Sequence, residues 1–165
     1  MKKKPLSYWL MKSEPEVFSF TDLLKAPQKT THWEGVRNYQ ARNLMRDQFK
    51  LGDLVLFYHS NAEPTGIFGV CEVVQEAYPD PAAWDPKSPY FDSKSKKKGV
   101  NPWVVVDVRA KYRFNKPVLR DDLKKHSPLK KMVVLQKGSR LSVQPVTQAE
   151  FEFILNLGEP VGAKE

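Results

Sequence analysis

The chain has 165 residues, of which 41% are apolar, and its formal net charge at pH 7 is +8. A chain of this length and composition buries a hydrophobic core without disulfides or metal, which excludes an intrinsically disordered protein. The excess of 27 basic over 19 acidic residues favours a polyanionic partner, and a 12% aromatic content suits the stacking of nucleic-acid bases.

Short strands and helices are predicted in the first third of the chain. Residues 7–12 are rich in aromatics and predict a strand, which Pro15 stops because proline cannot donate to a ladder. A capping pattern predicts a short helix over residues 19–26, and apolar residues at helical spacing predict another over 38–49. The nearly continuous apolar run 54–59 predicts a strand buried on both faces.

Two further strands are predicted over residues 66–75 and 103–114, where apolar side chains dominate or alternate. Between them, residues 79–102 are rich in proline, serine and lysine and predict a long surface loop. Residues 120–125 predict a short polar helix. The apolar segment 132–135 leaves helix and strand equally open.

The C-terminal region predicts an edge strand over residues 142–146, followed by a helix. That helix begins with a capping box at Thr147 and ends at Gly158. We expect a frayed tail over residues 159–165. These elements predict one α+β domain spanning residues 1–165, with its core within about 7–158 and a curved or barrel-like sheet.

The single cysteine and the hydropathy of the sequence favour a reducing compartment and no membrane span. Cys71 is the only cysteine and lies in an apolar run, which predicts a buried, inert thiol. With three scattered histidines, neither a metal site nor a cofactor is expected. Because no apolar run reaches the length of a membrane span, we expect no membrane partner and a reducing interior. A bacterial cytoplasm is preferred to a eukaryotic nucleus, and a monomer is assumed.

Catalytic motifs are lacking in the sequence. It contains no nucleophile elbow, phosphate loop, dinucleotide fingerprint or His-Glu-x-x-His pattern, and its acidic residues are dispersed. His59 lies in an apolar strand, where it is either a satisfied core histidine or a functional group at the strand end. A non-enzyme is therefore expected.

The tryptophans differ in their surroundings. Trp33 lies in a polar segment and is either a binding group or a lid on the core. Trp103 opens a strand, which favours packing, and Trp84, flanked by prolines, suits an anchor for the long loop. Trp9 is predicted to lie in the core.

Two segments combine glycine with arginine. In residues 35–38, Gly35 allows a tight turn or a close backbone approach, and Arg37 can fork onto a phosphate or a base edge. Asn38 can read a base edge or cap the following helix. Residues 138–142 can cradle an anion through backbone N–H groups.

The order of these segments resembles that of EVE domains, and within them the thymocyte nuclear protein family. The resemblance rests on Tyr8-Trp9-Leu10-Met11-Lys12-Ser13-Glu14-Pro15, Trp33-Glu34-Gly35-Val36-Arg37-Asn38-Tyr39-Gln40-Ala41-Arg42-Asn43, Gly52-Asp53, Phe57-Tyr58-His59-Ser60, Gly69-Val70, Tyr78-Pro79-Asp80, Trp103, Val106-Asp107-Val108 and Gly138-Ser139-Arg140-Leu141-Ser142-Val143-Gln144-Pro145-Val146. It implies a PUA-like fold, a small bent β-barrel of five to six strands flanked by short helices. It also implies kinship with YTH and ASCH domains, which handle RNA.

The resemblance further implies a nucleic-acid-binding module that recognises a modified base, such as a modified cytosine, in a pocket. We expect the base to be stacked and hydrogen-bonded outside its duplex. The expected ligand-binding residues are Lys12, Ser13, Glu14, Trp33, Gly35, Val36, Arg37, Asn38, Tyr58, His59, Ser60, Trp103, Ser139, Arg140 and Ser142. The alternatives are an enzyme acting on a nucleotide or RNA, and a protein-interaction module with a vestigial pocket. The sequence does not choose between DNA and RNA.

Overall fold

A mixed sheet of seven strands organises the chain, of which the computed structural model describes residues 5–163. The strands run in the order β2-β5-β4-β3-β1-β6, and β7 pairs with β5 beside this path. Strands β1 and β3 are parallel, and the other pairs are antiparallel. Their bounds are β1 Tyr8–Ser13, β2 Thr30–His32, β3 Leu54–His59, β4 Gly66–Pro79, β5 Val104–Leu119, β6 Val143–Val146 and β7 Pro160–Gly162.

The expected barrel is wrong, because this sheet is open. Strands β2 and β6 lie at its two ends, and within residues 5–163 no ladder joins them. Successive residues of a strand point to opposite faces, so Trp9 and Leu10 enter two different buried clusters. Because helices and turns cover both faces, the sheet does not need to close around one interior to bury its apolar side chains.

The predicted helices are present, and their caps explain where they begin. The helices are α1 Phe20–Lys25, α2 Tyr39–Asp47, α3 Ser93–Lys98, α4 Arg120–Lys124 and α5 Gln148–Gly158. Ser19 and Thr147 form capping boxes at α1 and α5, as the sequence predicted. The undecided segment contains a 3₁₀ turn, Val133–Leu135, and β6 is the predicted edge strand.

Residues 79–102 carry more structure than the expected surface loop. They contain the 3₁₀ turn Pro81–Trp84 and the helix α3. Trp84 Nε1 donates to Ser95 Oγ at 3.0 Å, so the tryptophan anchors this segment as predicted. Trp103 Nε1, next to the start of β5, donates to Asp92 Oδ2 at 2.8 Å and ties the segment to the sheet, a contact that its composition does not reveal.

The end of the chain corrects a second expectation. Pro160–Gly162 form β7, the buried Ala163 follows it, and Ala163 N donates to the carbonyl of Lys111 at 3.0 Å. Residues 159–163 are therefore not frayed, and residues 164 and 165 of the expected tail lie outside the described residues, as do residues 1–4 of the expected domain. The antiparallel ladder with β5 holds this end. No helix in the described range is long and apolar enough to cross a membrane.

Buried polar groups of the core have partners. Trp9 lies in the core as predicted, and its Nε1 donates to Asp53 Oδ2 at 2.9 Å. Cys71 is fully buried, as predicted, and burial raises the pKa of its thiol. A thiol that stays protonated is a poor nucleophile, so Cys71 serves only packing.

Candidate nucleic-acid interface

A cleft opens at the sheet edge where the parallel strands β1 and β3 end. Parallel strands finish at the same edge, so the residues that follow Ser13 and His59 lie side by side. The cleft has a volume of about 1360 Å³. It is lined by Lys12, Ser13, Glu14, Val17, Phe18, Thr31, His32, Trp33, Glu34, Gly35, Val36, Ser60, Asn61, Tyr90, Ser139, Arg140 and Ser142.

Most of the predicted site residues line this cleft together, although they come from four separate stretches of sequence. Those in its wall are Lys12, Ser13, Glu14, Trp33, Gly35, Val36, Ser60, Ser139, Arg140 and Ser142. The predicted residues that do not line it are Arg37, Asn38, Tyr58, His59 and Trp103.

Trp33 covers the core, as one of its two interpretations predicted, and it also lines the cleft, where its role in binding stays a prediction. Its ring is only 8% exposed and meets Phe57 edge-to-face at 5.3 Å, so it covers the core. Its backbone N–H donates to Val106 O at 2.8 Å, which fixes its position beside β5. The same ring forms part of the cleft wall.

The indole N–H of Trp33 differs from those of the other tryptophans. Trp9, Trp84 and Trp103 each donate their Nε1 proton to a side-chain oxygen within 3.0 Å. Within residues 5–163, Trp33 Nε1 has no such acceptor, and no buried side-chain nitrogen or oxygen lacks a partner. Its N–H is therefore accessible, and Trp33 presents an unused donor to the cleft.

Gly35 is required by the geometry of the wall. Its φ is +85°, and a Cβ placed there would lie 2.6 Å from Tyr90 Cζ. The backbone N–H of Gly35 donates to Asp80 Oδ2 at 3.2 Å. Both expected uses of this glycine, a turn and a close approach, are present, but the group that approaches is Tyr90 rather than a ligand.

Arg37 makes several hydrogen bonds within the protein, and its expected role as a phosphate ligand stays a prediction. Its Nη1 lies 2.9 Å from Asp80 Oδ2, whose side chain is fully buried. Further hydrogen bonds reach Val36 O at 3.0 Å and Tyr90 O at 2.8 Å. The guanidinium therefore ties the Tyr90 segment to the cleft wall, because its planar fork satisfies several acceptors at once.

Asn38 and His59 take the structural alternative in each case. Asn38 Oδ1 accepts from Ala41 N at 3.0 Å and caps α2. His59 Nε2 accepts from Phe20 N at 3.0 Å, and the ring stacks on Phe68 at 4.0 Å. Burial lowers the pKa of His59, so the neutral imidazole that accepts this hydrogen bond is favoured.

Tyr58 and Trp103 are also removed from the cleft by packing. Tyr58 is 2% exposed in the second cluster, and burial raises its pKa. Trp103 packs at 4.8 Å from the ring of Tyr39 and donates its Nε1 proton to Asp92. The prediction of Trp103 as a packing residue is confirmed.

The floor of the cleft carries polar groups from β1. The Ser13 hydroxyl donates to the carbonyl of Phe18, so it retains only acceptor capacity. Burial lowers the pKa of Lys12, and the nearby Arg120 lowers it further. The carboxylate of Glu14 accepts from Asn61 Nδ2 at 3.3 Å.

Another part of the wall comes from the segment between the Val133–Leu135 turn and β6. Ser142 O accepts from Lys12 N at 2.9 Å, which ties this segment to the cleft floor. Arg140 is exposed, and it makes no hydrogen bond or ion pair to any part of the chain that the structure describes. A cation without an internal partner is available to an anionic ligand.

Several lining residues were missed at the level of sequence. They are Val17, Phe18, Thr31, His32, Glu34, Asn61 and Tyr90. The strand β2 is only three residues long and gave no periodic signal, although it brings Thr31 and His32 to the cleft. Val17 is 63% exposed, and an apolar side chain exposed in a cleft is a signal that the sequence pattern hides.

The described residues hold no group of three histidine, cysteine, aspartate or glutamate side chains that could bind a metal ion. The cleft combines the cations Lys12 and Arg140 with the acids Glu14 and Glu34. Its charge is therefore mixed, and a single small anion is a poorer fit than a ligand with donors, acceptors and an apolar face.

Comparison with known proteins places this arrangement in a family. The family model described as EVE domain matches residues 7–157. The chain belongs to the EVE domain family. It is 44% identical to "Thymocyte nuclear protein 1" of Gallus gallus over 92% of this chain and 69% of that protein. The human protein of the same name is 43% identical over 93% of this chain and 74% of its own.

Solved structures of similar chains come from eukaryotes and bacteria. A Leishmania major protein is 48% identical, covers 94% of this chain and 96% of its own, and superposes with a TM-score of 0.87. A Pseudomonas syringae protein is 45% identical over 91% of this chain and 98% of its own, with a TM-score of 0.85. The human THYN1 protein, in complex with DNA containing 5-methylcytosine, is 43% identical, covers 93% and 98%, and has a TM-score of 0.86.

Proposed function

We propose that this EVE domain is a non-catalytic reader of a modified base in nucleic acid, with 5-methylcytosine in DNA as its ligand. The observation that carries the proposal is the unused indole N–H of Trp33 in the wall of a cleft about 1360 Å³ in volume. The complex of the similar human THYN1 protein with DNA containing 5-methylcytosine supports the choice of base.

The cleft offers the contacts that a base outside its stack needs. A cytosine carries acceptors on its Watson–Crick edge, and the Trp33 N–H is a donor. The hydroxyl of Ser13, whose proton is committed to Phe18 O, can accept from the exocyclic amino group. Edge hydrogen bonds together with stacking hold a flipped base in such pockets.

Apolar side chains in the same wall suit the added methyl group. Val17, Phe18 and Val36 lie among the lining residues, and Val17 has much of its surface open to the cleft. One methyl group in an apolar pocket contributes about 1–3 kcal/mol of discrimination, or roughly 10- to 200-fold. We therefore expect a moderate preference for modified over unmodified DNA.

A non-catalytic role agrees with the state of the titratable groups near the cleft. His59, the histidine behind the cleft, has its Nε2 lone pair occupied by Phe20 N–H. His32 is exposed and lies 3.2 Å from Glu34 Oε2. Within residues 5–163 neither histidine makes a hydrogen bond to a serine hydroxyl or a cysteine thiol, and the Ser13 hydroxyl donates to Phe18 O instead, so the nucleophile–base pair of covalent catalysis is not formed.

The test is a binding titration of labelled DNA with matched tryptophan variants. Duplexes with one central 5-methylcytosine or cytosine are titrated by fluorescence anisotropy at two salt concentrations. Trp33→Phe keeps an aromatic ring in the core but removes the indole N–H. We expect the loss of one hydrogen bond to lower the affinity for methylated DNA by roughly 3- to 10-fold and to reduce the methylated-to-unmethylated ratio.

Trp9→Phe is the matched control, because it removes an indole N–H that donates to Asp53 Oδ2 in the core, outside the cleft. It should leave both affinities unchanged. Thermal unfolding of both variants separates folding from binding. Binding by the wild-type protein that ignores both methylation and salt would refute the proposed function.

A further inference from the structure

A second concave surface borders the cleft and is not used by the base-reading site. A groove of about 320 Å³ is lined by Arg37, Pro89, Tyr90, Phe91, Asp92, Ser93 and Lys94, so it combines the cations Arg37 and Lys94 with the carboxylate of Asp92. Tyr90 lines both the groove and the cleft, so the two spaces adjoin at this residue.

Of the lysines in α3, one makes a hydrogen bond within the protein, and the other three make none to the described residues. Lys96 Nζ donates to Trp84 O at 3.2 Å and lies over the ring of Phe91. Lys94 lines the groove, and Lys97 and Lys98 follow it by three and four residues, the spacing that places side chains on one face of a helix. All three of these lysines are exposed.

This lysine-bearing helix is held in place unusually well for an exposed segment of six residues. Asp92 caps it by accepting from Ser95 N at 3.2 Å, and the same carboxylate accepts from Trp103 Nε1 at 2.8 Å. The Trp103 hydrogen bond, followed by that from Ser95, lowers the pKa of Asp92, so the cap stays ionised. Ser95 is 6% exposed and also accepts from Trp84.

Contacts of Arg37 and Gly35 attach the groove to the cleft. Arg37 bonds to Asp80 and to the carbonyl of Tyr90, and Gly35 lies against the Tyr90 ring. The groove therefore keeps a fixed distance from the cleft. Cations on a fixed frame bind phosphates with a smaller loss of side-chain and backbone freedom than cations on a mobile loop.

We propose that the groove and the α3 lysines Lys94, Lys97 and Lys98 bind the phosphates of the DNA strand that flanks the base in the cleft. The proposal rests on the proposed function, because the cleft fixes where the strand begins. Phosphate contacts set register and add affinity without reading sequence. They should therefore act equally on methylated and unmethylated DNA.

The test compares two double variants that each remove two positive charges. Lys94→Gln/Lys97→Gln alters Lys94, which lines the groove, and Lys97, which follows it by three residues on the same helix. Arg46→Gln/Lys50→Gln alters the end of α2 and the turn before β3, where neither residue lines the groove or the cleft. Duplex DNA with 5-methylcytosine or cytosine is titrated at about 50 and about 200 mM salt.

Each phosphate contact contributes about 0.9 to the slope of log affinity against log salt. The Lys94→Gln/Lys97→Gln variant should reduce that slope by about 1.8 and leave the methylated-to-unmethylated ratio unchanged. The affinity lost between the two salt concentrations should shrink about 10-fold. The Arg46→Gln/Lys50→Gln variant should retain the wild-type slope.

The groove proposal would be overturned if the two double variants had equal salt slopes. The base preference of the wild-type protein would still stand in that case. A lost preference for methylated DNA in the α3 variant would also overturn the groove proposal, because the lysines would then act on the base. If the wild-type protein shows no base preference, the cleft proposal fails, and the groove proposal fails with it.

Discussion

Two segments of this protein read alike in sequence and differ in the folded chain. Gly35-Val36-Arg37 and Gly138-Ser139-Arg140 both place a glycine two residues before an arginine, and both glycines have a positive φ, +85° and +77°. The guanidinium of Arg37 makes hydrogen bonds to Asp80, Val36 and Tyr90, whereas Arg140 is exposed at the cleft.

The difference follows from what lies next to each segment. A Cβ on Gly35 would collide with the Tyr90 ring, but a Cβ on Gly138 would meet nothing within 4 Å. The first arginine faces a fully buried carboxylate and the second faces solvent. The same glycine–arginine pattern therefore contains an arginine that supports the cleft wall in one segment and an arginine that a ligand can reach in the other. The pattern alone does not define an anion site.

The sharpest test of this contrast is to add a methyl group to each glycine. A non-glycine residue in the left-handed region costs about 1–2 kcal/mol, and overpacking against a ring adds about 1–3 kcal/mol. Gly35→Ala should therefore lower the free energy of unfolding by about 2–5 kcal/mol, and Gly138→Ala by about 1–2 kcal/mol. Urea unfolding measures both, and equal losses would contradict the role assigned to Tyr90.

Neutralising each arginine is the next test. Arg37→Gln leaves the buried Asp80 with two backbone donors, from Gly35 and Ala82, and removes its charged partner. We expect a loss of about 1–3 kcal/mol in the free energy of unfolding. Arg140→Gln should change that energy by less than about 0.5 kcal/mol and reduce the salt slope of DNA binding by about 0.9. A large loss of stability in Arg140→Gln, together with a reduced salt slope in Arg37→Gln, would contradict the roles assigned to the two arginines.

The smallest expected effect concerns His59, whose ring, like the Arg37 guanidinium, is hydrogen-bonded within the protein. Burial lowers its pKa, so the folded state binds a proton less readily than the unfolded chain. The stability that this histidine contributes is present above its unfolded pKa of about 6.5 and is lost as the pH falls through its folded pKa. In His59→Gln, whose amide oxygen can accept from Phe20 N–H, the unfolding free energy should vary less with pH across that range. An unchanged profile would mean that other groups dominate.

Several features were predictable because they depend on local chemistry. The capping boxes at Ser19 and Thr147, the N-cap at Asn38 and the buried strand β3 follow from neighbouring residues and periodicity. The ordered motifs of the EVE family also brought Ser13, Trp33 and Ser139 to one list of site residues, and the structure places them around one cleft. Their roles in binding remain the predictions tested above.

Other features were not predictable because distant residues decide them. The strands β2 and β7 have three residues each, and their ladders on β5 are what make them strands. Residues 79–102 appear polar and loop-like in sequence, yet Asp92, Trp103 and Ser95 fix them through contacts with no local signature. Whether the sheet closes depends on how both faces are covered, which periodicity along one strand does not state.

The sequence by itself determined the family, most element positions and the set of segments that meet at the cleft, because capping, alternation and motif order are local properties. Only the tertiary structure decided which polar groups remain available. The Arg37 guanidinium donates to Asp80 and Tyr90, and the Asn38 side-chain oxygen accepts from Ala41 N, whereas the Trp33 indole N–H and the Arg140 guanidinium have no partner within the described residues. The physical reason is that donors and acceptors paired by folding are no longer free for a ligand.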